Sequence, residues 1–582
     1  MLYRTLVAFV LALGAGPLGA ADLPAPVGAK VTDFALSEPL AGKPWSLNDR
    51  TRDAKATVIA FAALDCPVCK AYWPRLTDLH KRYAPDGVAF VAVNSQLTDT
   101  AEDVARTAKD LKLPFALLKD EGTKLADKFA VARVLTVVVL DATRTVRYAG
   151  RIDDQFAPGV HREKATTREL AAALEALLDG GEVKKPFAAA AGCKLTREKK
   201  PAPAATVTYH KHVAAIMQAR CQECHRAGEA GPFALDSYKQ AKGWADMIRE
   251  VVADGTMPPW HADAPPGHFK NDRRLSADEK KTLLTWVDAG CPEGDPNDAP
   301  PAPKFIDGWR LSQKPDLVLK MNKPFDVPAS SLLGLGVPYQ HITAGEPFAE
   351  DTWVQAVEVR PDYRAAVHHV IVYMLPPKKG GFDTKNFARF MLATYVPGDK
   401  PLVYPEGMAK KVPKGAQLLF EMHYTPNGKA GRDQSQIGIV FAKKPPRHAV
   451  KGDAALNGKF AIPPGDGNYK VTAEYTFQSP VTLLTLSPHM HLRGKAFKYE
   501  LVNKDGSRET LLSVPKYDFS WQVSFDLAKP RALPAGSRIE CTAWYDNSAK
   551  NPFNPNPNKK VTWGDQTWDE MMIGFFEYYD TP

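Results

Sequence analysis

At 582 residues the chain is well past the size at which one hydrophobic core keeps growing, so three or more folding units are expected. Hydrophobic residues at 44% and charged residues at 24% exclude a disordered or fibrous chain, and 49 prolines favour long connections and β-rich architecture. A formal charge of +9 is mild over this length and makes no case for nucleic acid, and seven cysteines are too few for a disulfide scaffold.

The chain opens with Arg4, an apolar run over 6–13 and small residues through Gly19, Ala20 and Ala21 before Asp22. That order predicts a secretory signal peptide over 1–21. The alternative, an uncleaved anchor, is disfavoured because the run falls short of the roughly 20 residues a membrane span needs. No later stretch is apolar enough to cross a bilayer, so a soluble periplasmic or secreted protein without a transmembrane segment is expected.

Residues 22–182 alternate apolar strands (57–62, 88–93, 137–140) with amphipathic helices (101–111, 167–178), an α/β layered pattern. The first of these strands runs into Asp65-Cys66-Pro67-Val68-Cys69-Lys70 and a helical stretch with Trp73 and Pro74. A CxxC at a strand-to-helix turn places its first thiol at a helix N-terminus, where the dipole favours the thiolate. Cys66 would attack and Cys69 resolve; a static disulfide or a bound metal ion are the alternatives. Cys193, beyond the last helix, is either a third, resolving thiol or a free cysteine, and Cys291 and Cys541 are unassigned. The stretch resembles the exported redoxin branch of the thioredoxin and peroxiredoxin superfamily. It departs from the peroxidase pattern at Phe61 and Ala63, and no proline interrupts Arg133-Val134-Leu135-Thr136 before the third core strand.

A connector over 183–205, rich in Lys, Pro and Ala, leads to a helical unit over 206–300. Cys221-Gln222-Glu223-Cys224-His225 has the CxxCH spacing that lets two thiols add to haem vinyl groups while the adjacent His reaches the iron. A zinc half-site would need a second pair, and none follows. One covalent haem c is expected, with His225 proximal and Met257, in a Pro-rich loop after a helix over 237–253, as the sixth ligand. His210, His212, His261 and His268 compete for that position. Ser276 with Glu279 forms a capping box ahead of a last helix stopped by Gly290 and Pro292, and the unit looks like a cytochrome c domain.

From about 301 short alternating strands take over: 353–359, 367–374, 417–424, 436–441, 469–477, 481–486, 497–501, 521–527, 538–545 and 573–579. They predict a pair of jelly-roll sandwiches, divided into 301–445 and 446–582. His489 and His491 share one strand face, whereas adjacent His368 and His369 need a bulge or a strand end to act together. The series Val367-His368-His369-Val370, Met422-His423-Tyr424, His489-Met490-His491 and Asp569-Glu570-Met571 is similar to the copper type II, ascorbate-dependent monooxygenases, which include peptidylglycine α-hydroxylating enzymes. The resemblance implies two copper ions, one on His368, His369 and His423, the other on His489, His491 and Met571, with Met572 as the alternative thioether. It also implies O2 and an organic substrate as reactants. The module order leads to the expectation that the haem donates electrons to the first histidine set, after reduction by an external donor. The alternative is an electron-transfer and thiol–disulfide protein without hydroxylase activity.

Overall fold

The computed structural model describes residues 27–581 apart from 159, 163, 203–204, 307, 330–336, 378–386 and 504; the expected signal peptide lies outside them. No described helix is long and apolar enough to cross a membrane.

The first module is a thioredoxin-like α/β unit. Its eight-stranded sheet runs in the order Phe187–Ala188, Val146–Gly150, Val137–Asp141, Ala56–Ala62, Val88–Asn94, Ala116–Lys119, Ala35–Glu38, Lys43–Ser46. Ala56–Ala62 pairs in parallel with Val88–Asn94 and antiparallel with Val137–Asp141, and every one of its residues is buried, as in a strand covered on both faces. Its chain then enters the helix Pro67–Tyr83, with Cys66 at the N-cap and Pro67 in the first turn, where the missing N–H costs nothing. The helix Ala101–Asp110 starts on a capping box of Thr100 and Asp103.

Four α-helices form the second module: Ala214–Arg220, Tyr238–Gly243, Ala245–Asp254 and Ala277–Asp288. The single helix expected over 237–253 is two, because the backbone leaves helical geometry at Trp244. There the buried indole stacks on Phe233 with centroids 4.0 Å apart. The capping box of Ser276 and Glu279 is present. These helices do not have a core of their own: Tyr209, Met217, Trp244 and Trp286 belong to one hydrophobic cluster with Leu76, Val138 and Leu174 of the first module.

The C-terminal half is β-rich. One long sheet runs Leu317–Lys320, Gln436–Phe441, Thr352–Arg360, Met408–Val412, His448–Leu456, Ile573–Asp580, Val481–His489, Phe525–Leu533. Its first four strands pack on a sheet of Gln340–Ala344, Gln417–Tyr424, Val367–Leu375 and Met391–Tyr395, its last four on Tyr469–Thr476, Arg538–Tyr545, Gly494–Val502 and Arg508–Val514. The expected strand over 521–527 begins later, at Phe525.

The helical module reaches into the β-rich half. Residues 260–271 leave it as an arm that joins the last β layer: Phe269 bridges to Leu527, Lys270 N donates to Asp526 O at 2.8 Å, and Trp260 and Phe269 are buried with Phe525. Arg310 anchors the same module to the first β layer, with ion pairs to Glu223 at 2.7 Å and to Glu358 at 3.1 Å. Glu358 is only 3% exposed. Arg310→Ala therefore leaves a buried carboxylate unpaired, and a loss of about 3–5 kcal/mol is expected. It is measured as a lowered denaturation midpoint together with faster proteolysis between the helical and β-rich parts.

Candidate functional site

At the thiol site, Cys66 is bonded to Cys193, 127 residues away, with Cα atoms 6.2 Å apart. This corrects the expectation that Cys69 resolves Cys66 in the state seen here. Cys69 is a free, buried thiol one helical turn further on, its Sγ accepting from Ala63 N at 3.4 Å, and burial pushes its pKa up to about 12. The sequence could not separate the two partners, because Cys193 sits outside the motif and on a different element.

At the haem-type site, Cys221 N donates to Met217 O at 2.9 Å and His225 N to Cys221 O at 2.8 Å, so both thiols and the His share one tight turn. The two thiols are free, and burial raises the pKa of each, that of Cys221 to about 12. His225 Nδ1 lies 3.0 Å from Phe233 O. That contact, with Nδ1 as donor, leaves Nε2 free, the arrangement in which a second partner fixes a metal-ligating ring. Glycine is required beside it: a Cβ on Gly231 would stand 2.6 Å from Cys224 O and 2.9 Å from His225 Nδ1. The two thiols and the ring nitrogen, gathered on one turn, fit covalent haem.

Met257 follows the helix Ala245–Asp254, its N–H bonded to Val251 O at 3.0 Å. Among its competitors, His210 pairs with Glu293 at 3.5 Å and His212 Nδ1 accepts from Thr208 N at 3.1 Å. His261 and His268 sit on the arm that joins the β layer, where Ala528 N donates to His268 O.

The β-rich half brings its histidines together. A bulge between Val367 and His369 turns both His368 and His369 to one side, and His369 faces His423 on the neighbouring strand. His368 Nδ1 and His369 Nδ1 are 3.0 Å apart, and His423 Nδ1 is 3.4 Å from His369 Nδ1. Burial lowers all three pKa values, that of His368 to about 4, and their mutual repulsion lowers His369 and His423 further. Three neutral rings, two buried and that of His368 partly so, whose nitrogens converge within 4.8 Å of one another make a cradle for a cation. Imidazole donors suit copper or zinc.

The second set is built differently. His489 Nδ1 meets Gln522 Oε1 at 2.6 Å and His491 Nδ1 meets Asp569 O at 3.3 Å, contacts that orient both rings. The backbone N–H groups of His491 and Arg493 donate to buried Glu570, at 2.9 and 2.6 Å, and burial raises its pKa to about 7. Strand register places His489 opposite Ile573, two residues from Met571. Met571, partly buried, packs against the cluster of Tyr373, Phe387, Ala454, Ile573 and Phe575 between the β layers, whereas Met572 is fully buried in the core of the last layer. The geometry thus favours Met571 over Met572 as a thioether available to the site.

Two aromatic residues at these sites carried no sequence signal. Tyr339 stacks on His423 at 4.8 Å. Phe519 stacks on His368 at 5.2 Å and lies 5.9 Å from His491, so one ring touches both histidine sets.

The haem-type turn adjoins the first set. A Cβ on Gly398 would stand 2.8 Å from Cys224 Sγ, and Arg364 pairs with Glu229. Gly398 follows the strand Met391–Tyr395, whose Tyr395 pairs with Val370 beside His369.

Residues 27–149 match the AhpC/TSA family, and residues 210–271 match cytochrome c oxidase, cbb3-type, subunit III. The thiol-disulfide oxidoreductase ResA of Bacillus cereus is 27% identical over 115 residues, 20% of this chain and 64% of that protein, so less than two thirds of the relative is spanned. Among solved structures, a hypothetical protein from Sinorhizobium meliloti is 28% identical, covering 29% of this chain and 93% of its own, with a TM-score of 0.27. An uncharacterized conserved protein from Geobacillus kaustophilus is 30% identical, covering 30% and 94%, also with a TM-score of 0.27. The chain therefore carries a thiol-disulfide oxidoreductase-like redoxin module followed by a cytochrome c module, the make-up of a redox protein.

Gly231→Ala is expected to keep both thioether links but displace the His225 ring. The haemochrome assay should read full haem content while the reduced spectrum shows weakened axial ligation.

Proposed function

We propose that the chain is an exported electron-transfer and thiol–disulfide redox protein whose β-rich half binds two copper ions. The observation that carries this reading is the convergence of three neutral histidines, His368, His369 and His423, within 4.8 Å of one another. The second copper would lie on His489, His491 and Met571. Imidazole serves both copper oxidation states and a thioether suits Cu(I). Haem c on Cys221, Cys224 and His225, with Met257 completing it, supplies one-electron transfer when bound, and copper supplies one-electron exchange and reaction with O2.

This chain's residues order those centres. Cys224 lies beside Gly398, and Tyr395 is laddered to the strand of His368 and His369, so one close non-bonded approach and a strand ladder connect the haem turn to the first histidine set. Phe519 lies against a ring of each set. The finer reading is a monooxygenase of two jelly-roll units that hydroxylates an organic C–H bond with O2. Its support is the order and pairing of the six ligands. The reading without hydroxylation is favoured by the observed Cys66–Cys193 bond and the thiol–disulfide relative.

Metal analysis of holoprotein matured outside the cytoplasm is expected to give about two coppers per haem. The pair His368→Ala/His369→Ala should lose one copper and leave haem content unchanged. Haem without copper would refute the reading. In partly reduced holoprotein, loss of the reduced-haem absorbance should match the appearance of Cu(I), and should stop in the same pair of variants. Oxygen uptake stoichiometric with product over a substrate screen separates hydroxylation from electron transfer alone.

A further inference from the structure

Cys193 does more than meet Cys66. The segment around it lies along the loop before the strand Val137–Asp141 as an extra strand. Val134 N donates to Cys193 O at 3.0 Å, Leu195 N to Ala132 O at 2.9 Å, and Arg133 bridges antiparallel to Lys194. Gly192 is the residue that permits this approach, since a Cβ there would stand 1.9 Å from Val134 O.

The same segment grips the haem module. Lys194 N donates to Met247 Sδ at 3.4 Å, Arg197 N to Asp246 at 3.2 Å, and Lys199 pairs with Asp246 at 2.9 Å. Arg133 itself pairs with Glu250 at 2.6 Å. Met247, Asp246 and Glu250 all lie on the helix Ala245–Asp254. The strip over 192–199 is thus sandwiched between the thiol module and the haem module, and the disulfide is the covalent bond that fastens it to the first.

We propose that Cys193 is the working partner of Cys66, that their bond straps the haem module to the redoxin module, and that Cys69 displaces Cys193 to release the strap. This rests on the thiol–disulfide reading of the module. Cys69 lies in the first turn of the helix that Cys66 caps, three residues on. Its thiolate attacks Cys66 Sγ; the Cys66–Cys193 bond breaks as the Cys66–Cys69 bond forms, and the electron pair leaves on Cys193 Sγ, which takes up a proton equal to the one Cys69 gave up. No electrons are gained or lost overall. Cys66 is fully buried and Cys193 is 5% exposed, so thiols in solution do not reach the bond before the strap lifts. Cys69 is already inside and holds its proton while buried, which keeps the strapped form at rest.

The test is peptide mapping of oxidised, haem-loaded wild-type protein under non-reducing conditions. Peptides containing Cys66 and Cys193 should be linked, with Cys69 alkylated only after unfolding; a Cys66–Cys69 link with free Cys193 overturns the proposal. Cys193→Ser should shift the bond to Cys66–Cys69 and speed amide exchange in residues 245–254 about tenfold, as expected of a local opening that has lost its tether. Unchanged exchange overturns the strap. Cys69→Ser should slow reduction of the strap by a dithiol about tenfold, since the internal nucleophile is gone; reduction at the wild-type rate overturns the displacement step. Insulin reduction by the reduced protein separates the two levels: turnover with Cys193 never oxidised leaves the redoxin reading standing and removes this one, and absence of both removes both.

Discussion

Three rungs of parallel pairing, Met408 to His448, Ala409 to Ala449 and Lys410 to Val450, weld the two β layers into one sheet. Around this seam the protein places what a sliding interface could not keep. Lys410, 3% exposed, sets its ammonium between Glu577 and Met391 O, and Tyr404 reaches the same carboxylate. Tyr373, Phe387, Ile573 and Phe575 close over it as a small core of their own. An ion pair taken out of water this far gives little net stability, but it penalises any register in which its partners separate. The spacing of the two histidine sets, one on each side of the seam, follows from that pairing.

Each histidine set then depends on a local irregularity. In regular strand geometry His368 and His369 would point to opposite faces, and the bulge after Val367 is what brings them together. On the other side, Glu570 ties the backbone of His491 and Arg493, and Arg493 is in turn bonded to Asn547 and Trp568 O. A buried carboxylate accepting main-chain N–H groups fixes a loop more firmly than apolar packing, because every alternative loop shape leaves it unpaired. The rings are thus held in place by the protein alone.

Much of this was legible in the residues. Patterning located the strands Gln417–Tyr424, Gln436–Phe441 and Arg538–Tyr545, and the need for a bulge at His368 and His369 follows from strand periodicity alone. The capping box at Ser276 is a local signal that needs only Ser276 and Glu279. What escaped were long-range choices. Cys66 has two thiols to choose from, and only the folded position of the connector selects Cys193. Trp244 ends a helix because its ring finds Phe233, not because its propensity differs from its neighbours'. Tyr339 and Phe519 have no spacing rule, so nothing in the chain marks them as neighbours of the histidines.

The arm over 260–271 gives the helical module a dependency in time. Asn271 reaches Ser524 and Asp526, some 250 positions downstream, and Trp260 and Phe269 are covered by the last β layer, both packing on Phe525. A chain emerging N-terminus first can finish its redoxin sheet early, yet must hold two large aromatic rings bare until the last strands arrive. Loop closure over such a distance adds little to equilibrium cost but much to the search. The cytochrome is therefore not a detachable bead in a modular string. It shares its core with the redoxin sheet on one side and lends two rings to the last β layer on the other, so cutting it out would expose apolar surface at both ends.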